Sequence, residues 1–241
     1  MVVKNQIKLI KSLHQKKYRN LHGLFFVEGI KTVKELMESD FEVHGIYTTD
    51  GSLLEGGRDF QILISETELK QMSSLKNPNT ILGVFYKPKA QDIDFTDWVL
   101  ALDHVSDPGN LGTIIRLCDW FGIRHLVCSL DTVDCYNPKV LQASMGSIAR
   151  VHVVYTELAQ FLEGSERQIF GAFMDGQSAY STDLRSSGIL VMGNEARGIS
   201  EEIKAICHKK IGIPQFGDPS TESLNVATAT AILLNELRRG N

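Results

Sequence analysis

The stretch from Ile213 to Arg239, IPQFGDPSTESLNVATATAILLNELRR, admits few folds, because a polar, turn-rich loop runs directly into a long apolar helix. Pro214 fixes the backbone where the strand-like run Lys209 to Ile213 ends, and Gly217, Asp218, Pro219 and Ser220 are turn formers. From Ser223, read as the N-cap, Val226, Thr230, Leu233, Leu234 and Leu237 recur at three- and four-residue spacing, with small Ala227, Ala229 and Ala231 between them. Small residues let another backbone approach closely. A loop that presents Ser and Asn side chains and free amides at a helix N-terminus suits a ligand bearing carbonyl, carboxylate or hydroxyl groups. An ordinary capped helix also accounts for these residues.

Ahead of that stretch, helices and strands alternate. Val3 to Lys17 reads as one basic amphipathic helix with Ile7, Ile10 and Leu13 in its apolar stripe. Leu24–Val27, Val43–Thr48, Ile62–Ile64 and Ile81–Tyr86 are strand-like, with helices at Ile30–Glu38 and Glu66–Met72, which makes a small α/β unit. The polar segment KPKAQDIDFT has neither period, so the expected division is residues 1–93 and 94–241. The formal charge of −4 argues against wholesale wrapping of nucleic acid, yet Lys4, Lys8, Lys11, Lys16, Lys17, Arg19, Lys31 and Lys34 face only Glu28 among the first 34 residues. Such a basic end fits phosphate contacts, for which Lys11, Lys16, Lys17 and Arg19 are the candidates, and it also fits a solvated helix surface. Four cysteines without CxxC spacing, no secretory apolar region and no apolar run of membrane-span length predict a cytoplasmic protein.

The second half opens with the apolar strand Trp98 to Leu102 and then DHVSDPGNLGTIIRLCDWFG. Pro108, Gly109 and Asn110 break the chain, and Ile114, Ile115, Leu117, Cys118 and Phe121 give the next helix a buried face that ends at Gly122. Asn110 thus stands at the helix entrance and Arg116 about one and a half turns in. That is where open α/β sheets bind ligands, although a single helical Arg is commonly just a surface residue. Further strands are read at His125–Ser129, Ile169–Phe173 and Ile189–Met192, with a helix near Leu158 to Leu162. In KVLQASMGSIARVHVV, small Ala143, Ser144, Gly146 and Ser147 indicate tight packing or a close-lying substrate. In GILVMGNEARGIS the strand stops at Gly193-Asn194-Glu195, with Gly198 three residues on, and these supply backbone freedom and polar groups at a strand end. Neither a GxGxxG fingerprint nor a Walker loop is present.

Together these segments resemble the three motifs of the SpoU (TrmH) family of RNA ribose methyltransferases, within the knotted SPOUT class. Asn110, Gly112, Arg116 and Phe121-Gly122 represent the first motif, Gly193, Asn194, Glu195 and Gly198 the second, and Ile213-Pro214 with Ser223-Leu224-Asn225-Val226 the third. Ala143 to Arg150 is similar to the family's ASMG-type segment, and the first domain is similar to the ribosomal-protein-like substrate-binding domain of many members. The insertion Asp218-Pro219-Ser220-Thr221 makes the last loop longer than in many members.

The resemblance implies a small N-terminal α/β domain followed by a trefoil-knotted, mainly parallel α/β domain that acts as a homodimer. It implies methyl transfer from S-adenosylmethionine, without a metal, to a ribose 2′-hydroxyl in structured RNA, ribosomal RNA ahead of transfer RNA. Its implied cofactor positions are Met192, Gly193, Asn194, Gly198, Ile213, Ser223 and Leu224, and its catalytic positions are Asn110, Arg116, Glu195, Ser223 and Asn225. Arg116 would serve as base or as stabiliser of alkoxide charge. Two other classes stay open: an RNA-binding or ribosome-assembly protein that retains the fold without catalysis, and a nucleotide-using metabolic enzyme. Cofactor binding and RNA binding, respectively, separate them from the first.

Overall fold

Apolar segments that alternate with amphipathic ones commit this chain to sheets covered by helices, and the computed structural model, which describes residues 4–54, 60–89, 91–184, 187–217 and 223–239, contains two. They belong to two compact units, one of residues 1–90 with 134–149, the other of residues 91–133 with 150–241.

In the first unit, α1 (Lys4–Ser12) and α2 (Lys16–His22) stand where the sequence predicts one continuous helix. The break is local: the Ser12 hydroxyl donates back to the Leu9 carbonyl at 2.6 Å, and Gln15, extended at φ −105° and ψ 133°, begins α2. Then come β1 (Leu24–Glu28), α3 (Ile30–Met37), β2 (Val43–Thr48), β3 (Gln61–Leu63), α4 (Glu66–Met72) and β4 (Ile81–Tyr86). The sheet order is β1-β4-β2-β3, with β4 antiparallel to both neighbours and β3 parallel to β2. Ile10, Leu13, Phe26, Tyr47, Leu69, Met72 and Leu82 meet in one apolar core, which covers the sheet with α1 and α4. A reciprocal Ser65–Glu68 capping box starts α4.

In the second unit every residue of β5 (Val99–Leu102) and β6 (His125–Ser129) is buried, as parallel strands covered on both faces require. Between them lies α5 (Pro108–Trp120). After β6 the chain enters the first unit, where it forms α6 (Pro138–Ser144) and a 3-10 turn, and returns as β7 (His152–Thr156). It continues through α7 (Leu158–Glu163), β8 (Ile169–Ser178), β9 (Ile189–Met192), α8 (Glu201–Ile206), β10 (Lys209–Gly212) and α9 (Val226–Arg238). The six-stranded sheet runs β10-β8-β9-β5-β6-β7, all parallel. Val99, Ala101, Val127 and Val191 pack with Leu158, Leu162, Ile199 and Ile203, so α7 and α8 cover one face, while α5 and α9 pack against each other. Arg238 locks that pair: its Nε donates to the Phe121 carbonyl at 2.8 Å and its guanidinium closes on Asp97 at 2.7 Å, a cation at the C-terminus of α5.

The piece 134–149 sits within the first unit, although the sequence reading assigns it to the second domain. Arg19 holds it. Read from the sequence as an RNA contact, Arg19 is instead 2% exposed. Its Nη2 and Nε donate to Asp134 Oδ2 at 2.6 and 2.9 Å, and its Nη1 donates to the Leu13 and His14 carbonyls at 2.8 and 3.0 Å. A guanidinium turned inward on all these partners has nothing to offer a phosphate. Beside it, Tyr136 lies 4.6 Å from the Phe25 ring and beneath Lys87 Nζ at 4.9 Å, and burial lowers the Lys87 pKa. Among the small residues nearby, Ser144 is buried, and a Cβ on Gly146 would fall 2.2 Å from Glu35 Oε2, so packing explains both.

Removing one partner of a buried ion pair leaves an uncompensated charge, so Asp134→Ala is expected to lower unfolding free energy in urea by about 3–5 kcal/mol. Arg19→Met combined with Asp134→Leu should recover most of that loss. A fragment of residues 1–93, which keeps Arg19 without Asp134, should unfold at lower urea than the first unit of the whole chain.

Candidate active site

The C-terminal ends of β5 and β9 are neighbours in the middle of the parallel sheet, where the chain's progression across the sheet reverses. Two of the motif segments leave the sheet there. Asp107 is the N-cap of α5, its side chain accepting from the Asn110 amide, which puts Asn110 in the first turn of the helix. Asn110 Nδ2 donates to Glu195 Oε1 at 2.9 Å, and Asn225 Nδ2 donates to Asn110 Oδ1, also at 2.9 Å, so residues 115 and 85 positions apart form one hydrogen-bonded chain.

The direction of that chain is fixed from one end. Asn225, not Ser223, is the N-cap of α9: its Oδ1 accepts from the Ala227 and Thr228 amides at 2.9 and 3.2 Å. The amide oxygen being so occupied, the NH2 group is turned to Asn110, whose own NH2 is then turned to the carboxylate. Ser223 lies two residues ahead, exposed and outside the helix, because an N-cap must sit directly before the first helical residue.

The Gly193–Gly198 segment is a tight turn closed on itself. Asn194 and Gly198 exchange backbone hydrogen bonds at 2.9 Å in each direction, and Asn194 Oδ1 accepts from the Ala196 and Arg197 amides. A Cβ on Gly193 would lie 2.2 Å from the Gly198 carbonyl carbon, so the close approach that demands glycine is that of the turn's own backbone. Gly198, at φ 69°, has open space where a Cβ would project. Two residues that the sequence reading passed over anchor the turn: the Ser200 amide donates to Asp103 Oδ2 and Asn194 Nδ2 to the His104 carbonyl, both at 2.7 Å. The signal for them was a polar Asp-His pair placed directly after a wholly apolar strand.

The remaining predicted residues divide. Met192 is buried at the end of β9, while Ile213 is half-buried and Leu224 is 49% exposed. Lys210, Gly171 and Val191 share a rung of the sheet, but the register of β10 against β8 shifts after Lys210, where Ile211 pairs with Gln177. Arg116 is exposed on α5 and makes no hydrogen bond or ion pair with the Asn225–Asn110–Glu195 chain. Lys11, Lys16 and Lys17 are exposed on α1 and α2, with Lys17 Nζ over the Tyr18 ring at 5.1 Å. The insertion at residues 218–221 lies outside the described residues.

A parallel sheet whose central strand ends carry a carboxylate, two linked carboxamides and a glycine turn is that of a ligand-binding α/β enzyme domain. The chain belongs to the SpoU rRNA methylase family, whose model matches residues 97–235, and an MRM3-like substrate binding domain matches residues 4–83. It is 30% identical to the 23S rRNA (guanosine(2553)-2′-O)-methyltransferase RlmP of Bacillus subtilis over 98% of this chain and 97% of that one. A solved structure from Porphyromonas gingivalis, assigned to the TrmH family of RNA methyltransferases, superposes with a TM-score of 0.91 at 37% identity and covers 99% of both chains. The AdoMet-bound rRNA methyltransferase of Sinorhizobium meliloti gives 0.88 at 26% identity, covering 99% of this chain and 96% of that one.

Asn225→Ala should cost about 1 kcal/mol of stability through loss of the cap, whereas Asn225→Asp, an equally good cap that gives up only the hydrogen bond to Asn110, should lose less. Equal losses in the two variants would show that the capping oxygen is not what holds Asn225.

Proposed function

We propose that this protein transfers a methyl group from S-adenosylmethionine to a ribose 2′-hydroxyl of ribosomal RNA. The observation that carries the reading is the chain from Asn225 through Asn110 to Glu195, which joins all three family motifs through side-chain hydrogen bonds. Two relatives narrow the substrate class: one is named for a guanosine and another, from Streptomyces viridochromogenes, for a uridine of 23S rRNA. The nucleobase differs between them and the ribose hydroxyl does not, which supports the ribose as the common target.

The residues at the strand ends suit the cofactor. Gly198 opens onto free space, and Leu224 and Ile213 offer apolar surface with backbone amides and carbonyls rather than charges, a setting for an adenosine and its ribose hydroxyls. In this reading Gly193, Asn194, Gly198, Ile213, Ser223 and Leu224 hold S-adenosylmethionine, which supplies the electrophilic methyl group. Asn110 and Asn225 keep Glu195 in one orientation, so the target nucleotide meets a rigid polar edge and little freedom remains to be lost at the reactive geometry. Arg116, exposed on α5 and without a hydrogen-bond or ion-pair partner among the described residues, serves the developing alkoxide or the neighbouring phosphate as a cation.

Residues 1–93 form the RNA-holding domain in this proposal, with Lys11, Lys16 and Lys17 exposed for phosphate contact and Arg19 withdrawn from that role. The cytoplasm is the compartment that matches the substrate. The knotted path implied by the resemblance and a homodimer through α5 and α9 complete the reading, and Trp120, 84% exposed at the end of α5, supports the dimer.

Labelled S-adenosylmethionine and ribosomal RNA from a strain lacking the protein should yield label at one ribose, located by nuclease mapping. Arg116→Ala should lower kcat/KM by about 100- to 1000-fold. Asn225→Asp, stable but unable to donate to Asn110, should also lose activity. Absence of label, with cofactor bound, would refute the ribosomal substrate; absence of cofactor binding would refute the enzyme. Trp120→Glu should sediment as a monomer if α5 forms the dimer contact.

A further inference from the structure

His104, directly beyond β5, adopts φ 58°, a left-handed backbone uncommon outside glycine. Its side chain is half exposed and each ring nitrogen faces a carboxylate, Nδ1 at 2.6 Å from Asp103 Oδ1 and Nε2 at 3.2 Å from Asp131 Oδ2. Asp103 is 2% exposed, and its second oxygen accepts from the Ser200 amide. The His104 carbonyl accepts from Asn194 Nδ2, and its amide donates to Ser129 Oγ at 2.9 Å. One residue therefore ties the ends of β5 and β6 to both ends of the turn that carries Glu195. A carboxylate as buried as Asp103 is costly unless a positive charge stands against it. Asp103 also acts on Cys207, whose thiol is pushed up to about 11, chiefly by burial, with Lys210 opposing that shift. Among the described residues, His104 is the basic side chain in hydrogen-bond contact with Asp103.

We infer that His104 is a positioning residue for the Asn194–Ser200 turn, its protonated ring holding the Asp103 carboxylate aimed at the Ser200 amide, so that deprotonation loosens the turn. The inference rests on the reading of this turn as part of the cofactor site. The hydrogen bond to Asp103, against the opposing effect of burial, raises the His104 pKa above its ordinary 6.5. A raised pKa in the folded state means that the contribution is complete below the ordinary value and is lost as pH rises through the raised one. Cofactor affinity should therefore fall on the alkaline side.

The test is calorimetric titration of the full chain with S-adenosylmethionine between pH 6 and 9, for wild type, His104→Asn and His104→Gly. Asparagine tolerates the left-handed backbone and sets an amide donor near the place of Nδ1 but cannot be charged; glycine keeps the backbone and removes the side chain. The ratio of wild-type to His104→Asn affinity cancels titration of the cofactor's own amine. That ratio should be about three- to fivefold at pH 6, as a charge-assisted hydrogen bond exceeds a neutral one, and should fall towards one at pH 9. His104→Gly should bind more weakly than His104→Asn throughout. In the wild type, the exchange protection of the Ser200 amide should decline over the same pH range, a readout that needs no variant. A flat ratio with a pH-independent protection factor would overturn the inference while leaving the cofactor reading intact. Failure of the wild type to bind at any pH would remove the cofactor reading and the inference with it.

Discussion

The first turn of α9 needs acceptors for its amides, and the Asn225 side-chain oxygen supplies one; the polar arrangement at the strand ends follows from that single commitment. A carboxamide has one oxygen and one NH2 group. With the oxygen bound at the helix, the NH2 can only donate, so Asn110 must offer its oxygen to Asn225 and its NH2 to Glu195. A flip of either amide would set oxygen against oxygen on one side and leave the helix amides without an acceptor on the other. Secondary structure thereby dictates the orientation of the carboxylate. The constraint is also efficient in charge, since one anion is held by two neutral groups and no cation is spent on neutralising it.

The turn after β9 answers to a second commitment of the same kind. Gly193 is forced by the closeness of the Gly198–Ile199 backbone, and the turn this creates is held from outside by Asp103 and the His104 carbonyl. Glu195 is therefore approached from two sides, through its own turn and through Asn110, and neither route passes through solvent-exposed long side chains, which would lose several rotamers each on being fixed. In the first unit the comparable device is the Arg19–Asp134 pair, which decides where a segment from the middle of the chain rests. A buried pair is not the most stabilising way to fill that space, but it accepts only one partner geometry.

Much of this was legible from residues with local causes. β2, β4, β6 and α4 fall where periodicity and turn residues put them, because each of those signals acts within a few positions. The three motifs were legible as strand ends followed by turn formers. What escaped was decided at long range or by competition between adjacent candidates. Ser223 and Asn225 are both good caps, and the choice fell to Asn225 because its NH2 finds Asn110, 115 positions away. Arg19 sits in a run of basic residues that looks uniformly exposed, and only Asp134 distinguishes it from Lys16 and Lys17. The early end of α1 depends on the Ser12 hydroxyl turning back on Leu9. α8 is short, and Glu201, Glu202 and Lys204, its charge signal, read equally as a polar loop.

Two arginines of the second unit brace its helices and strands. Arg150 closes on Asp119 at 2.8 Å and Arg238 on Asp97 at 2.7 Å, each bracing an end of a helix or strand. Arg116 lies on the same helix as Asp119 yet pairs with neither that carboxylate nor Glu195. Glu195 is engaged by a neutral amide instead, so the guanidinium stays in water. A surface ion pair would have contributed little to stability in any case, because solvent screens it and two side chains must be ordered to form it. An incoming phosphate or alkoxide that excludes that water would meet an undiminished charge in a site where its field is stronger than in solution. In the proposed function this makes a division of labour, in which the carboxylate and its two amides define a rigid edge and Arg116 meets charge brought by the substrate.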